Sequence, residues 1–267
     1  CGAGRGWRLQ GADVPLIRAA REMQATVKPE YLLSDFAFLV NYLEAFYGMK
    51  AHVLIRFGKW QEILDEPLPD DPKMFCVTTA VWQYAKGIAH AVLGNIDAAL
   101  VQQKLLKEAV AALPEDRIVF QNDARDILAV AGPMLAGELE YRRGNYDVAF
   151  NHLRKAVELY DTLNYSEPWS WMMPPRHALG ALLLEQGHVE EAAAVYRADL
   201  GLDDTLVRPS QHPNNIWSLV GYAECCEKSG DQAALDVIKP HLEKAQKIAD
   251  DAIDVSCFCR IGHMCCD

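Results

Sequence analysis

A helix, a short turn containing glycine and a second helix recur five times along this chain of 267 residues. The five turn glycines are Gly58, Gly94, Gly144, Gly187 and Gly230. Apolar residues around them recur at intervals of three and four, which is the period of an amphipathic helix. Glycine at such a turn supplies the left-handed conformation that ends a helix. The sequence therefore predicts an all-α fold, and no segment indicates a sheet.

Three of the units share a second pattern around the turn. Each has a further glycine seven residues before the turn glycine, at Gly87, Gly137 and Gly180, and an alanine five residues after it, at Ala99, Ala149 and Ala192. Small residues at these offsets let neighbouring helices approach closely. We therefore expect closely packed antiparallel helix pairs.

These positions resemble the tetratricopeptide repeat (TPR) over roughly residues 42–250. In the fourth unit, the positions of the family signature are occupied by Leu179, Gly180, Gly187, Ala192 and Tyr196. The resemblance implies an α-solenoid of about five antiparallel helix pairs, coiled as a right-handed superhelix. The first unit departs from the pattern at Ala51 and Ile63 and the fifth at Ala223 and Leu235, and terminal repeats are often atypical.

The resemblance divides the chain into units of unequal length. We expect an N-terminal helical segment, or the end of an upstream repeat, at 1–41, and a cysteine-rich cap or tail at 251–267. The repeats between them are expected at 42–70, 74–113, 122–163, 173–201 and 214–250. The turn glycines are farther apart than the roughly 34 residues of the family, which places insertions at 112–127, 163–175 and 202–215. This wide spacing is similar to that of uncharacterised bacterial and microbial-eukaryotic TPR proteins and implies no reaction.

Prolines and asparagines predict where helices begin. Pro133, Pro174 and Pro175 are expected in the first turns of their helices, where a missing N–H costs little. Asn214 or Asn215 is expected to cap the helix that follows.

The charge of the chain limits its partners. A formal net charge of −11 argues against nucleic acid and favours a protein or peptide partner of basic or amphipathic character. No apolar run reaches the roughly 18 to 20 residues of a membrane span. The eight cysteines permit disulfides, but a chain of this length does not need them for stability, so we expect a cytoplasmic protein with reduced thiols. Because the chain begins at Cys1, a secreted or lipid-anchored protein remains an alternative.

Aromatic residues and methionines are concentrated at 165–177, YSEPWSWMMPPRH. Such clusters beside an arginine are typical of binding hot spots, but the same tryptophans are also suited to covering helix ends across a widened junction. The candidate contacts for a partner in the groove and its loops are Trp82, Tyr84, Trp169, Trp171, Arg176, His177 and Trp217.

The C-terminal residues CFCRIGHMCCD offer soft metal donors. Cys257, Cys259, His263, Cys265 and Cys266 suffice for a tetrahedral zinc or copper(I) site, although their spacing is not that of a structural zinc motif. Disulfides are a second interpretation. The interpretation that we favour is a set of reduced thiols that cover the last unit, on a final helix extended to about 259. No cofactor is then required.

Three functions follow from these patterns. The sequence contains no H-E-x-x-H motif and no G-x-S-x-G elbow, so we favour a non-enzymatic scaffold that binds a peptide or protein segment in a concave groove. The first alternative is a repeat-built enzyme or metal-binding protein that uses the inserted loops and the Cys/His cluster. The second is a self-assembling array.

Overall fold

The computed structural model describes residues 15–33, 37–249 and 253–263. The prediction of an all-α fold is confirmed: helices account for nearly all of the regular structure in these ranges. The helices before the second repeat are α1 (Pro15–Thr26), α2 (Ala37–Tyr47), α3 (Met49–Arg56) and α4 (Trp60–Asp65). Those that follow are α5 (Cys76–Val92), α6 (Ile96–Ala111), α7 (Ala124–Arg142), α8 (Tyr146–Asp161), α9 (Pro175–Glu185), α10 (Val189–Leu200), α11 (Ile216–Ser229) and α12 (Gln232–Ile248). Short 3₁₀ helices lie at Pro29–Leu33, Arg208–Ser210 and Phe258–His263.

Five helix pairs form around the five turn glycines: α3 with α4, α5 with α6, α7 with α8, α9 with α10 and α11 with α12. Every turn glycine has a positive φ, between 62° and 82°. In each turn the amide of the next residue donates to the carbonyl five residues back, at 2.8–2.9 Å, as in Asn95 to His90. This bond is the mark of a Schellman motif. The local prediction from the glycines is therefore confirmed at all five turns.

The insertions between pairs are mostly irregular. The first contains two strands of two residues each, β1 (Ile118–Val119) and β2 (Asn122–Asp123), paired antiparallel. This small hairpin was not expected from the sequence. Asn215 caps α11 by accepting from the Trp217 amide, as predicted, and Pro175 begins α9.

The expected place of Pro133 was wrong. Pro133 lies inside α7, because that helix begins at Ala124 rather than close to the proline. The Asp123 carboxylate caps the helix by accepting from the Arg125 amide, which sets the earlier start.

The pairs stack in chain order, an arrangement compatible with a solenoid. The stack also curves strongly, because the end of α3 meets helices far along the chain. Arg56 Nη1 lies 2.9 Å from Nδ1 of His177 on α9, and the Phe57 ring centroid lies 6.2 Å from that of Trp217 on α11. We call the surface enclosed between α3, α5, α7, α9 and α11 the inner groove.

Two glycines make room for the Tyr196 ring in this stack, because they have no side chain. A Cβ at Gly180 on α9 would lie 2.5 Å from the Tyr196 ring, and a Cβ at Gly221 on α11 would lie 2.3 Å from it. Tyr196 on α10 is therefore held between α9 and α11, the first helices of the fourth and fifth pairs. The expected close approach at Gly180 is confirmed, and Gly221 serves the same ring from the next unit.

The last helix ends earlier than expected. α12 ends at Ile248, with its C-cap at Ala249 in an extended conformation, and so does not continue to about 259. Residues 253–260, which we call the tail segment, instead contact α7, α9 and α11 from the inner groove. None of the helices in the described ranges combines the length with the apolar character that a bilayer span requires.

Candidate functional site

The insertion at 163–174 turns into the inner groove. Its Trp171 side chain is only 1% exposed and meets the His52 ring of α3 edge-on, with the centroids 4.8 Å apart. The same indole lies 5.2 Å from the Tyr84 ring of α5. Trp169, partly exposed, stands edge-on to His212 at 4.4 Å. The loop thereby fills the part of the groove between the early and the late helix pairs.

Beneath this loop lies a buried polar cluster centred on Asp199, near the end of α10. The carboxylate Oδ2 lies 3.1 Å from His177 Nε2 and 2.5 Å from Ser218 Oγ, and Oδ1 lies 2.8 Å from His212 Nδ1. Arg56 reaches the cluster from α3 through His177. We call these five residues the Asp199 cluster, and it joins α3, α9, α10, α11 and the last insertion.

The hydrogen bonds fix the proton positions in the cluster. Since arginine only donates, Nδ1 of His177 accepts from Arg56, and the His177 proton lies on Nε2, from which it is donated to Asp199. Nδ1 of His212 donates to the other carboxylate oxygen. Asp199 thus accepts three side-chain hydrogen bonds, which satisfies a charge that is fully buried.

Burial also shifts the pKa values of this cluster. It lowers the pKa of His177 to about 4 against the opposing effect of Asp199, so the imidazole is neutral at pH 7. It lowers the pKa of Arg56 to about 10, which leaves the guanidinium charged. Burial alone would raise the pKa of Asp199, but the electrostatic interaction with His177 and the hydrogen bonds donated by His177 and His212 outweigh it and hold that pKa below its usual range. A neutral imidazole therefore bridges a buried cation and a buried anion.

The same geometry limits the chemistry of the cluster. Both nitrogens of His177 are used in hydrogen bonds, and Nε2 of His212 lies 3.3 Å from the Tyr160 hydroxyl. His212 and Tyr160 border a cavity of about 40 Å³, which is room for a few water molecules. A general base needs a nitrogen within reach of a substrate proton, whereas here the imidazoles hold helices together. The cluster therefore joins α3, α9, α10 and α11 through buried hydrogen bonds.

The tail segment is the second occupant of the inner groove. Its Ser256 hydroxyl is buried and lies 2.5 Å from the Tyr196 hydroxyl. Arg142 at the end of α7 donates to the Cys259 carbonyl, and the tail therefore contacts the array through both side chains and main chain.

Two further contacts set the tail position. The Phe258 ring lies edge-on to Trp217, with centroids 5.7 Å apart, and a Cβ at Gly58 would stand 3.3 Å from its Cγ atom. The Arg260 guanidinium makes a two-point ion pair with Glu224 on α11, at 2.7 and 3.1 Å. Ile253 completes an apolar cluster with Trp217 and Val220.

The predicted partner contacts are mostly interior in this structure. Trp82, Tyr84, Trp171, Arg176, His177 and Trp217 are all buried, and Trp169 is partly exposed. Arg176 makes a two-point ion pair with Asp161 at 2.5 and 2.6 Å, and His177 belongs to the Asp199 cluster. Of these seven residues, Trp217 contacts the tail segment through Phe258. A role of these residues in binding a partner stays a prediction.

The predicted metal donors are divided. Cys257 and Cys259 form a disulfide with each other, which removes two of the five donors from metal binding in this state. The His263 side chain, Cys265 and Cys266 lie outside the described residues. Within the described parts of the chain, no three His, Cys, Asp or Glu side chains are grouped to hold a metal ion. Cys225 and Cys226 are buried free thiols.

Asp199, which accepts all three carboxylate hydrogen bonds of this buried cluster, was not singled out from the sequence. The signal was present, because Asp199 follows Ala192 and Tyr196 on the apolar stripe of α10 at intervals of four and three residues. A carboxylate on such a stripe requires buried partners. Glu224 and Arg142 were missed because their partners lie in a tail whose path the sequence does not show.

The fold and the groove define an all-α protein of paired helices with a filled inner surface. Comparisons with protein-family models, with curated proteins and with solved structures find no match to this chain.

Proposed function

We propose that the chain is a non-enzymatic interaction module that holds an extended segment of a partner protein in its inner groove. The observation that supports this proposal is that the groove already holds the non-α-helical residues 253–260 through contacts with α7, α9, α10 and α11. A surface that positions one such segment has the chemistry to position another. The resemblance to tetratricopeptide repeats favours the same mode of binding.

The contacts of the tail segment combine the elements of peptide recognition. An aromatic pocket beside Trp217 offers apolar area, the Tyr196 hydroxyl offers a directional bond, and Glu224 offers a negative charge. Apolar anchors with a few placed polar groups are typical of such sites. The Glu224 carboxylate and the net charge of −11 favour a basic partner.

The proposal is tested by selecting peptides from a displayed library of random 12-residue sequences on the full chain. Bound peptides are then located by hydrogen exchange, and we expect protection on α9 and α11. Glu224→Ala should weaken the selected peptides about tenfold, the value of a lost charge-assisted hydrogen bond.

Glu191→Ala is the matched control. Glu191 also makes a two-point ion pair with an arginine, Arg154, at 2.8 and 3.0 Å, but between α8 and α10. Its side chain is 39% exposed, against 26% for Glu224. We expect this variant to bind as the wild type does. Selected peptides that bind Glu224→Ala at full strength and protect only α6, α8 or α12 would contradict the proposal.

A further inference from the structure

We propose that the tail segment is a built-in competitor for the inner groove, and that the partner segment shares its chemistry, with an aromatic residue two positions before an arginine. This inference rests on the proposed function and specifies it. The tail pattern is Phe258 followed by Arg260, and each side chain has its own site on the array.

The aromatic site is shaped on two sides. The Trp217 ring forms one wall, and Arg56 covers that indole with its guanidinium carbon 4.8 Å from the centroid. The other wall is the main chain at Gly58, where a side chain would crowd the Phe258 ring. A flat ring fits this gap, and aromatic rings are the commonest anchors of protein interfaces.

The arginine site is the carboxylate of Glu224 on α11. Glu224 accepts both hydrogen bonds from Arg260, which is the planar fork geometry that arginine makes and lysine does not. Lys228 also faces Glu224, at 3.9 Å and one turn away on the same helix. The site therefore recognises a guanidinium in preference to an ammonium.

The contacts that hold the tail suit exchange with another segment. Among the described residues, no main-chain to main-chain hydrogen bond joins 253–260 to a helix. Each hydrogen bond between the two therefore involves a side chain, either of the tail segment or of a helix. The Arg260 ion pair is also partly exposed, at 19% and 26% for its two side chains, and such pairs are weaker than buried ones. A tethered segment competes at an effective concentration of about a millimolar, which keeps the groove filled until a matching partner segment arrives.

The test uses the full chain and a fluorescent peptide of residues 253–260 with alanine at both cysteine positions. Arg260→Ala removes the two-point contact of the tail, and we expect the peptide to bind this variant about tenfold more tightly than the wild type. Arg154→Ala, which removes the two-point ion pair with Glu191 between α8 and α10, should leave peptide binding at the wild-type level. Phe258→Ala is a second variant that loosens the tail, and circular dichroism establishes that each variant is folded.

A double-mutant cycle then identifies the site. Adding Glu224→Ala to Arg260→Ala should cost the peptide about tenfold in affinity, and a peptide with alanine in place of its arginine should not respond to that change. Equal binding of the peptide by the wild type, Arg260→Ala and Phe258→Ala would overturn the inference. A doubled mass of Arg260→Ala in light scattering would also overturn it, because the groove would then be filled by the tail of a second copy.

The two proposals fail in different ways. If peptides selected from the random library protect α9 and α11 but the tail peptide does not displace them, the inference is overturned and the proposed function stands. If no peptide protects the inner groove in the wild type or in Arg260→Ala, both are overturned.

Discussion

Acidification should destabilise this protein through two buried histidines. His177 and His52 are both almost fully buried, and burial lowers the pKa of each to about 4, with the Arg56 charge acting in the same direction. In the unfolded chain their pKa returns to about 6.5. Between about pH 4 and 6.5 the unfolded chain therefore binds more protons than the folded one, so the free energy of unfolding falls as the pH falls through this window.

The size of the effect follows from these pKa values. A histidine with a pKa of about 6.5 unfolded and about 4 folded lowers the free energy of unfolding by about 2 kcal/mol at pH 5 relative to pH 7.5. The two histidines together lower it by about 4 kcal/mol. A change of this size is a large fraction of the free energy of unfolding of a typical domain, which is about 5–15 kcal/mol.

Replacing His177 with glutamine isolates one of the two contributions. The glutamine amide donates to Asp199 and accepts from Arg56 as the neutral imidazole does, but it does not titrate. Urea unfolding of the wild type and His177→Gln at pH 7.5 and pH 5 measures the change. We expect the loss on acidification to be about 2 kcal/mol smaller in His177→Gln than in the wild type.

The comparison between the two proteins cancels the contributions of the carboxyl groups that they share. His241→Gln is the control, since the His241 side chain is exposed, with Nδ1 2.7 Å from Asn214 Oδ1. The reasoning is refuted if His177→Gln and the wild type lose the same free energy, within about 0.5 kcal/mol, between the two pH values.

Two further substitutions test the packing and the buried charge. The Cβ of Gly221→Ala would lie 2.3 Å from the Tyr196 ring, so this variant should lose about 1–3 kcal/mol of unfolding free energy in urea. The control is Gly132→Ala, at a helical position with nothing within 4 Å, which should be neutral or stabilising. Equal effects of the two substitutions would contradict the packing of Tyr196. Asp199→Ala leaves Arg56 without its anion and three donors without an acceptor, so thermal and urea unfolding should show a loss of about 3–5 kcal/mol. Asp161→Ala removes the partner of Arg176 at the edge of the core and should cost less unfolding free energy than Asp199→Ala. A larger loss in Asp161→Ala would contradict the greater importance of the Asp199 carboxylate for stability.

The sequence predicted what is decided locally. A glycine turn and the small residue at Gly180 act over one or two helical turns, and their φ values and close contacts agree with the prediction. The curvature of the stack is the sum of many small rotations between helices, and no short pattern records it. The meeting of Arg56 with His177, 121 residues apart, and the path of the tail segment were therefore beyond the sequence.

Residue type and residue environment also diverged in the candidate site. The aromatic cluster at 165–177 was singled out from the sequence, and both interpretations of Trp171 were compatible with that sequence. Its burial against His52 favours the covering role. Asp199 shows the opposite case, in which an ordinary residue type is fully buried and depends on its hydrogen-bond partners.

The contact between α3 and the late helices also bears on how this protein unfolds. In an open solenoid each repeat touches only its neighbours, so terminal repeats fray independently and partly folded states are populated. Here Arg56 and Phe57 bind the first pair to the fourth and fifth pairs. Loss of either end removes contacts from the other, which links the ends into one cooperative unit. Closing so long a loop also delays folding, because its entropy is lost before the contacts form. We therefore expect the closed stack to unfold more sharply and to assemble more slowly than the same helix pairs would in an open array.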